Sequence, residues 1–181
     1  MNSHIFPHGQ PAAFFVFNDV QKSDPKTKEF LQKYKPHILQ LYKKIYATDG
    51  TGKELAEYGI EARTVGHGPV RGDHNVVQKL LKRQDAGKTS HLFFFRDPFL
   101  ERHERGKDHL TWMAVLNGIV VFLNSETASV YLDQAIQAHE RFRHGTASLI
   151  EPIVDRRLHL LLSEFARYAL STNHDLFTTG V

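Results

Sequence analysis

The sequence predicts an α/β protein with a mostly parallel five-stranded sheet that is covered by helices on both faces. Five short apolar runs alternate along the chain with segments whose apolar residues recur at helical spacing. The clearest runs are almost continuously apolar, which indicates strands that are buried on both faces. Together these observations are typical of a Rossmann-type, three-layer arrangement.

The first strand is predicted from Ala12 to Asn18, where the run AAFFVF ends in polar residues. A helix then begins at Asp24-Pro25, since aspartate is a good cap and proline suits a first helical turn. Pro36 lies inside the apolar helical pattern and predicts a split or a kink there.

The remaining elements follow the same alternation. The segment KELAEY, closed by Gly59, and the amphipathic segment that ends near Ala86-Gly87 are predicted helices. A fourth helix spans about Leu110 to Asn117, and the chain is helical again beyond Ser125. The four further predicted strands are Ile45 to Ala47, Glu61 to Val65, Leu92 to Phe95, and Ile119 to Leu123.

The domain organisation follows from length and pattern, because 181 residues suit one domain with its own core. We expect a loose arm over residues 1–11 and the α/β domain over 12–135. Residues 136–181 are expected to form a helical extension, packed on the domain or at a subunit interface. Its apolar stripe comprises Leu158, Leu161, Leu162, Phe165 and Tyr168.

Composition excludes several classes of protein. No apolar run approaches the ~18 residues of a membrane span, and the first residues lack the features of a secretory signal. The chain has no cysteine, which rules out disulfides, thiolate metal sites and a cysteine nucleophile. We therefore expect a soluble, cytoplasmic protein without a membrane partner.

Charge and histidine content argue against nucleic acid and metal. The formal charge is +3, with 23 Lys and Arg scattered among 20 Asp and Glu, and no basic stripe with interleaved aromatics is present. The 12 histidines include no helical i, i+4 pair around a glutamate. We expect neither a nucleic-acid partner nor a metal site.

Ligands of open parallel sheets bind at the carboxyl ends of the strands. Polar residues and glycines follow each predicted strand here, and ATDGTGK offers glycines, hydroxyls and a helix N-terminus for an anion. Lys22 and His67-Gly68 could join the same site, although the Walker spacing is absent. The set suits a small phosphate ester better than a nucleotide.

Three aspartates, Asp19, Asp73 and Asp97, also fall at these strand ends. Asp73 lies in GPVRGDHN, behind two glycines and a proline that leave little bulk around it. His103 and Asp108 lie in the charged loop after Asp97. Neighbouring carboxylates raise one another's pKa, so that one of them can act as an acid or base near neutral pH.

Five motifs in this order, NDVQK, YATDGTG, GPVRGD, FFRDP and GIVVFLN, resemble the methylglyoxal synthase family over roughly Phe14 to Val130. The resemblance implies a homohexameric lyase that converts dihydroxyacetone phosphate to methylglyoxal and phosphate without metal or organic cofactor, under control by inorganic phosphate. It makes Asp73 the catalytic base, and places Asp19 and Asp97 as further carboxylates. His103 with Asp108 would polarise the carbonyl, with His109 or Glu104 as alternatives. The implied substrate- and phosphate-binding residues are Asn18, Lys22, Thr48, Asp49, Gly50, Thr51, His67 and Gly68.

The chain departs from the family pattern at the proposed site. Asn18 stands where the family usually has a histidine, Asp49-Gly50 replaces Gly-Thr, and His67 replaces a serine. A negative charge at Asp49 opposes phosphate unless it points away or pairs with Lys22 or Lys53. Two alternatives therefore stay open: a non-catalytic sensor of a phosphorylated metabolite, and an enzyme acting on another phosphorylated ketone.

Overall fold

The structure is a computed structural model that describes residues 11–66, 72–96 and 108–143. In these ranges the chain forms a five-stranded sheet in which every pairing is parallel, as the sequence predicts. The strands are β1 (Ala12–Phe17), β2 (Lys44–Ala47), β3 (Arg63–Thr64), β4 (Ser90–Phe95) and β5 (Val120–Phe122), in the order β3-β2-β1-β4-β5.

Helices follow the strands in alternation and cover both faces of the sheet. They are α1 (Asp19–Ser23), α2 (Pro25–Leu41), α3 (Asp49–Glu57), α4 (Asp73–Asp85), α5 (Asp108–Leu116) and α6 (Ser125–Arg143). The expected boundary between residues 135 and 136 falls inside α6. The apolar stripe from Leu158 to Tyr168 lies outside the described residues. None of the helices in the described part of the chain combines the length and the apolar character that a membrane span requires.

The core consists of two apolar layers, one on each side of the sheet. Side chains of β1 alternate between them, so that Phe15 joins the layer under α2, α3 and α6, and Phe14 the layer under α4 and α5. All six residues of β1 are buried, which confirms the prediction of a strand covered on both faces. The rings of Phe15 and Phe93 stack with centroids 4.5 Å apart. Such a pair contributes about 1 kcal/mol beyond its buried area.

Two details differ from the sequence-based expectations. Asn18 does not end β1 as a strand residue: its side chain accepts a hydrogen bond of 2.8 Å from the Gln21 amide and so caps the short helix α1. Helix α2 continues through Pro36, so the expected split is wrong. Proline has no N–H group to donate to the Gln32 carbonyl one turn earlier. Pro36 and Gln32 are both exposed, so water can hydrogen-bond this carbonyl instead.

The strand order creates a switch point between β1 and β4. From β1 the chain proceeds to β2 and β3 on one side, whereas β4 and β5 lie on the other. Loops diverge at such a point and leave a crevice outside the carboxyl ends of the strands. Asn18 and Arg96, the residues that follow β1 and β4, lie at this switch point, and the Asn18 amide donates to the Phe95 carbonyl at 3.3 Å.

Candidate functional site

The carboxyl edge of the sheet carries the polar residues that the sequence singles out. Because all strands are parallel, the residues after β1 and β2 emerge at the same edge. Helices α1 and α3 begin there. Seven of the predicted site residues lie on these two turns: Asn18, Asp19, Lys22, Thr48, Asp49, Gly50 and Thr51.

The first turn of α3 has no side-chain cap. Thr48 is the N-cap residue but its side chain makes no capping hydrogen bond, since its hydroxyl donates instead to Thr51 Oγ1 at 3.0 Å. The Asp49 amide donates to the Gly66 carbonyl at 3.1 Å. Helix geometry leaves the next amides, of Gly50 and Thr51, without a partner inside the helix. Uncapped amides at a helix N-terminus favour a bound negative charge.

The side chain of Thr51 serves the fold. It is fully buried, and its Oγ1 atom accepts a hydrogen bond of 2.9 Å from the Phe17 amide at the end of β1. This bond attaches the first turn of α3 to the central strand. The contribution of Thr51 to an anion site would therefore come from its backbone amide.

Lys22 brings a positive charge to the same turn. Its Nζ atom lies 2.6 Å from Asp19 Oδ1, so the ammonium pairs with Asp19 and not with Asp49. The Asp19 side chain is 97% exposed whereas that of Lys22 is only 24% exposed. The carboxylate therefore contacts more water than the ammonium does, and an ion pair of this kind contributes little to stability. The cation adds to the helix N-terminus as an attraction for an anion.

Asp73 is the first residue of α4 and is half-buried. Gly72 precedes it as a buried N-cap residue without a side chain. A second residue of the same turn, Asn75, donates through Nδ2 to the Val65 carbonyl at 2.6 Å. Since the Gly66 carbonyl bonds Asp49, residues 65 and 66 connect the turn of Asp73 to the first turn of α3.

Five of the predicted residues lie outside the described ranges: His67, Gly68, Asp97, His103 and Glu104. Asp108 is the first residue of α5, and the next residue, His109, is exposed. No group of three or more histidine and acidic side chains within the described ranges is arranged to hold a metal ion.

Two side chains at this edge, those of Asn75 and Arg96, are not among the predicted site residues. Arg96 follows β4 directly, and its guanidinium lies 5.7 Å from the centroid of the Phe94 ring. A cation immediately after a buried strand is a signal that the sequence does offer. Asn75 offers no such signal, because its partner Val65 lies ten residues earlier, just after β3.

Comparison with solved structures identifies the fold. The chain is similar to the crystal structure of methylglyoxal synthase from Elizabethkingia anophelis NUHP1, with a TM-score of 0.57 and 26% sequence identity. The match covers 68% of this chain and 77% of that one. This chain has a methylglyoxal synthase-like fold. No family model and no curated protein matches the sequence. In this methylglyoxal synthase-like fold, the α3 turn and Asp73 lie at the edge where open parallel sheets bind ligands.

Proposed function

We propose that the chain is a methylglyoxal synthase, a lyase that converts dihydroxyacetone phosphate to methylglyoxal and inorganic phosphate. The proposal rests on a structural connection between two turns at the carboxyl edge, one that would bind an anion and one that bears a carboxylate. An uncapped helix turn with a cation, Lys22, is joined through residues 65 and 66 to the turn that bears Asp73. The similarity to a methylglyoxal synthase supports the same conclusion.

The phosphate group would bind at the first turn of α3. The backbone amides of Gly50 and Thr51 supply donors and Lys22 supplies charge, whereas Thr48 and Thr51 direct their hydroxyls to each other and to β1. His67 and Gly68 complete the proposed anion site. A phosphate held at one end fixes the triose carbon chain and turns proton abstraction into an intramolecular event.

Asp73 would act as the base. Its carboxylate removes a proton from the hydroxymethyl carbon of the substrate, and the electron pair forms an enediolate with the negative charge on the former carbonyl oxygen. The hydroxyl proton of the enediolate then passes to the leaving phosphate as the hydroxyl oxygen becomes the aldehyde carbonyl, the carbon–carbon double bond shifts toward the phosphate-bearing carbon, and the bond between that carbon and the ester oxygen breaks. The resulting enolate takes up the proton held by Asp73 on its terminal carbon and becomes methylglyoxal.

The developing oxyanion needs a donor. His103, positioned by Asp108, is the proposed partner, and His109 or Glu104 are alternatives. Asp19 and Asp97 are the further carboxylates of the proposed site. Asp19 pairs with Lys22 at 2.6 Å, so its role there would be to orient the cation.

The test is a coupled assay of phosphate release from dihydroxyacetone phosphate, with methylglyoxal measured as the second product. We expect turnover by the wild-type protein and a loss of about 10²- to 10⁴-fold in kcat for Asp73→Asn, the range typical of a removed general base. Asp85→Asn, at the exposed far end of the same helix, is the matched control and should keep wild-type activity. Full activity in Asp73→Asn, or none in the wild type, contradicts the proposal.

The second candidate function is a sensor of a phosphorylated metabolite. Asp49, as the first residue of α3, places an additional carboxylate at the turn that would hold the phosphate, which favours weak binding without chemistry. The sensor predicts that dihydroxyacetone phosphate raises the melting temperature while no phosphate is released. A panel of other phosphorylated ketones in the same assay tests for a different substrate.

The proposed assembly is a homohexamer, with inorganic phosphate as product and inhibitor. Analytical ultracentrifugation tests the assembly. Product inhibition is tested by adding inorganic phosphate to an assay that follows methylglyoxal. A monomer in solution contradicts the first expectation, and a rate that does not respond to phosphate contradicts the second.

A further inference from the structure

Two consecutive carbonyl groups connect the helices that carry the proposed chemistry. The Val65 carbonyl accepts from Asn75 Nδ2 at 2.6 Å, and the Gly66 carbonyl accepts from the Asp49 amide at 3.1 Å. Asn75 belongs to the first turn of α4 and Asp49 to the first turn of α3. Residues 65 and 66 therefore form a bracket, named here the 65–66 bracket, between the two turns.

The 65–66 bracket is itself held in place by the sheet. The Val65 amide donates to the Ala47 carbonyl at 2.9 Å, directly after the last paired residues of β2 and β3. Gly66 has φ of +119°, which residues with a side chain rarely adopt. A Cβ atom on Gly66 would lie only 3.0 Å from Asn75 Nδ2. A side chain at position 66 would therefore press on the amide group of Asn75.

The start of α4 needs such an attachment. Gly72, its N-cap residue, has no side chain with which to bond the first turn. The hydrogen bond of Asn75 supplies a cross-link that the N-cap cannot provide.

We propose that Asn75 is a positioning residue, which holds the first turn of α4, and with it Asp73, at a set place relative to the first turn of α3. This rests on the proposed function, in which Asp73 is the base and the α3 turn holds the phosphate. A displacement of a reacting group by about 1 Å costs on the order of 100-fold in rate. Asn75 therefore affects the catalytic step and not the binding of the phosphate end.

The first test compares Asn75→Ala with Gln78→Ala in the phosphate-release assay. Gln78 is exposed on the same helix and bonds His74 at 2.9 Å, so its truncation removes a similar contact that does not involve the 65–66 bracket. We expect kcat to fall about 10- to 100-fold in Asn75→Ala with little change in KM. Gln78→Ala should match the wild type, and Asn75→Gln, which keeps the amide donor, should recover part of the loss.

A raised KM at unchanged kcat, or equal kinetics in the two alanine variants, overturns the role of Asn75. A wild-type protein that releases no phosphate overturns the proposed function, and with it the catalytic reason for the 65–66 bracket. Asn75 is exposed, so its truncation should leave the fold intact. Asn75→Ser, which is too short to span the same distance, provides a second variant if the alanine protein does not fold.

The second test is independent of turnover. The Asp49 amide, which donates to Gly66, reports on the 65–66 bracket by hydrogen exchange in the intact protein. We expect it to exchange about 10-fold faster in Asn75→Ala and at the wild-type rate in Gln78→Ala. Equal protection in all three proteins shows that Asn75 does not hold the turns together and overturns the proposal, whatever the kinetics.

Discussion

The Nζ atom of Lys22 lies 2.9 Å from the point that a Cβ atom on Gly50 would occupy. The ammonium thus occupies space that a side chain on Gly50 would fill. The absence of a Cβ atom at Gly50 lets a cation approach the first turn of the helix directly.

Gly50→Ala should therefore weaken phosphate binding by displacing Lys22. We expect KM for dihydroxyacetone phosphate to rise about 5- to 10-fold, which corresponds to roughly 1 kcal/mol of lost attraction, with kcat little changed. The same change should raise the free energy of unfolding by about 0.5 to 1 kcal/mol, because alanine suits a helix better than glycine. Steady-state kinetics and urea unfolding check the two effects. A lower stability together with a raised KM would instead indicate general damage to the turn.

Thr51→Val should destabilise the fold, because the Phe17 amide would lose its buried acceptor. The expected cost is about 1 to 3 kcal/mol in the free energy of unfolding. Thr27→Val is the matched control, since Thr27 is equally buried but its hydroxyl donates only to the Gln21 side chain at 3.3 Å. Urea unfolding of both variants checks the difference. Equal losses of unfolding free energy in the two variants would show that the hydrogen bond from the Phe17 amide adds no extra stability.

The layered fold was predictable because its signal is local. Apolar runs such as the one that contains Phe15 are short, nearly continuous and separated by helical patterns, and parallel sheets require that combination. The ends of the elements were less predictable. Whether Asn18 extends β1 or caps α1 depends on one side-chain hydrogen bond. The effect of Pro36 depends on whether the carbonyl that it leaves unbonded faces water.

The site was predictable in place but not in detail. The rule that ligands bind at strand ends locates Lys22, Thr51 and Asp73 at one edge. The sequence does not say where a side chain points, and the Thr51 hydroxyl turns toward β1 instead of outward. The contact between Asn75 and Val65 follows from tertiary packing, which no local pattern encodes.

Gly66→Ala should impair both stability and turnover. At φ of +119° an alanine is strained, and its Cβ atom would press on Asn75 Nδ2, so we expect a loss of about 1 to 3 kcal/mol in unfolding free energy. Gly87→Ala is the control: Gly87 has φ of +64°, but no atom lies within 4 Å of its Cβ position. That variant should lose about 1 kcal/mol and keep its kcat. Urea unfolding and the phosphate-release assay check these expectations, and a kcat that falls equally in both variants would contradict them.

His91 lies at the start of β4, far along the strand from the carboxyl edge, and is only 2% exposed. Its Nδ1 atom lies 2.8 Å from the Tyr42 hydroxyl, and its Nε2 atom 3.3 Å from that of Tyr131. The rings of Phe93 and Phe122 pack nearby in the same apolar layer. Burial lowers the pKa of His91 from the ordinary 6.5 to about 4, and burial also raises the pKa of Tyr42.

His91 should make the protein less stable in acid. Between pH 6.5 and about 4 the unfolded chain protonates this imidazole while the folded protein keeps it neutral, so stability falls as the pH falls through that window. At pH 4.5 the loss from this residue should reach about 2 to 3 kcal/mol relative to neutral pH. Urea unfolding of the wild type and of His91→Gln across this pH range checks the prediction. The other acid-labile groups contribute equally to both proteins, so the difference between the two curves reports on the imidazole. His91→Gln should show a shallower pH dependence than the wild type. His74→Gln, at an exposed position, should keep the wild-type dependence, and parallel curves for all three proteins would show that the His91 imidazole does not resist protonation in the fold.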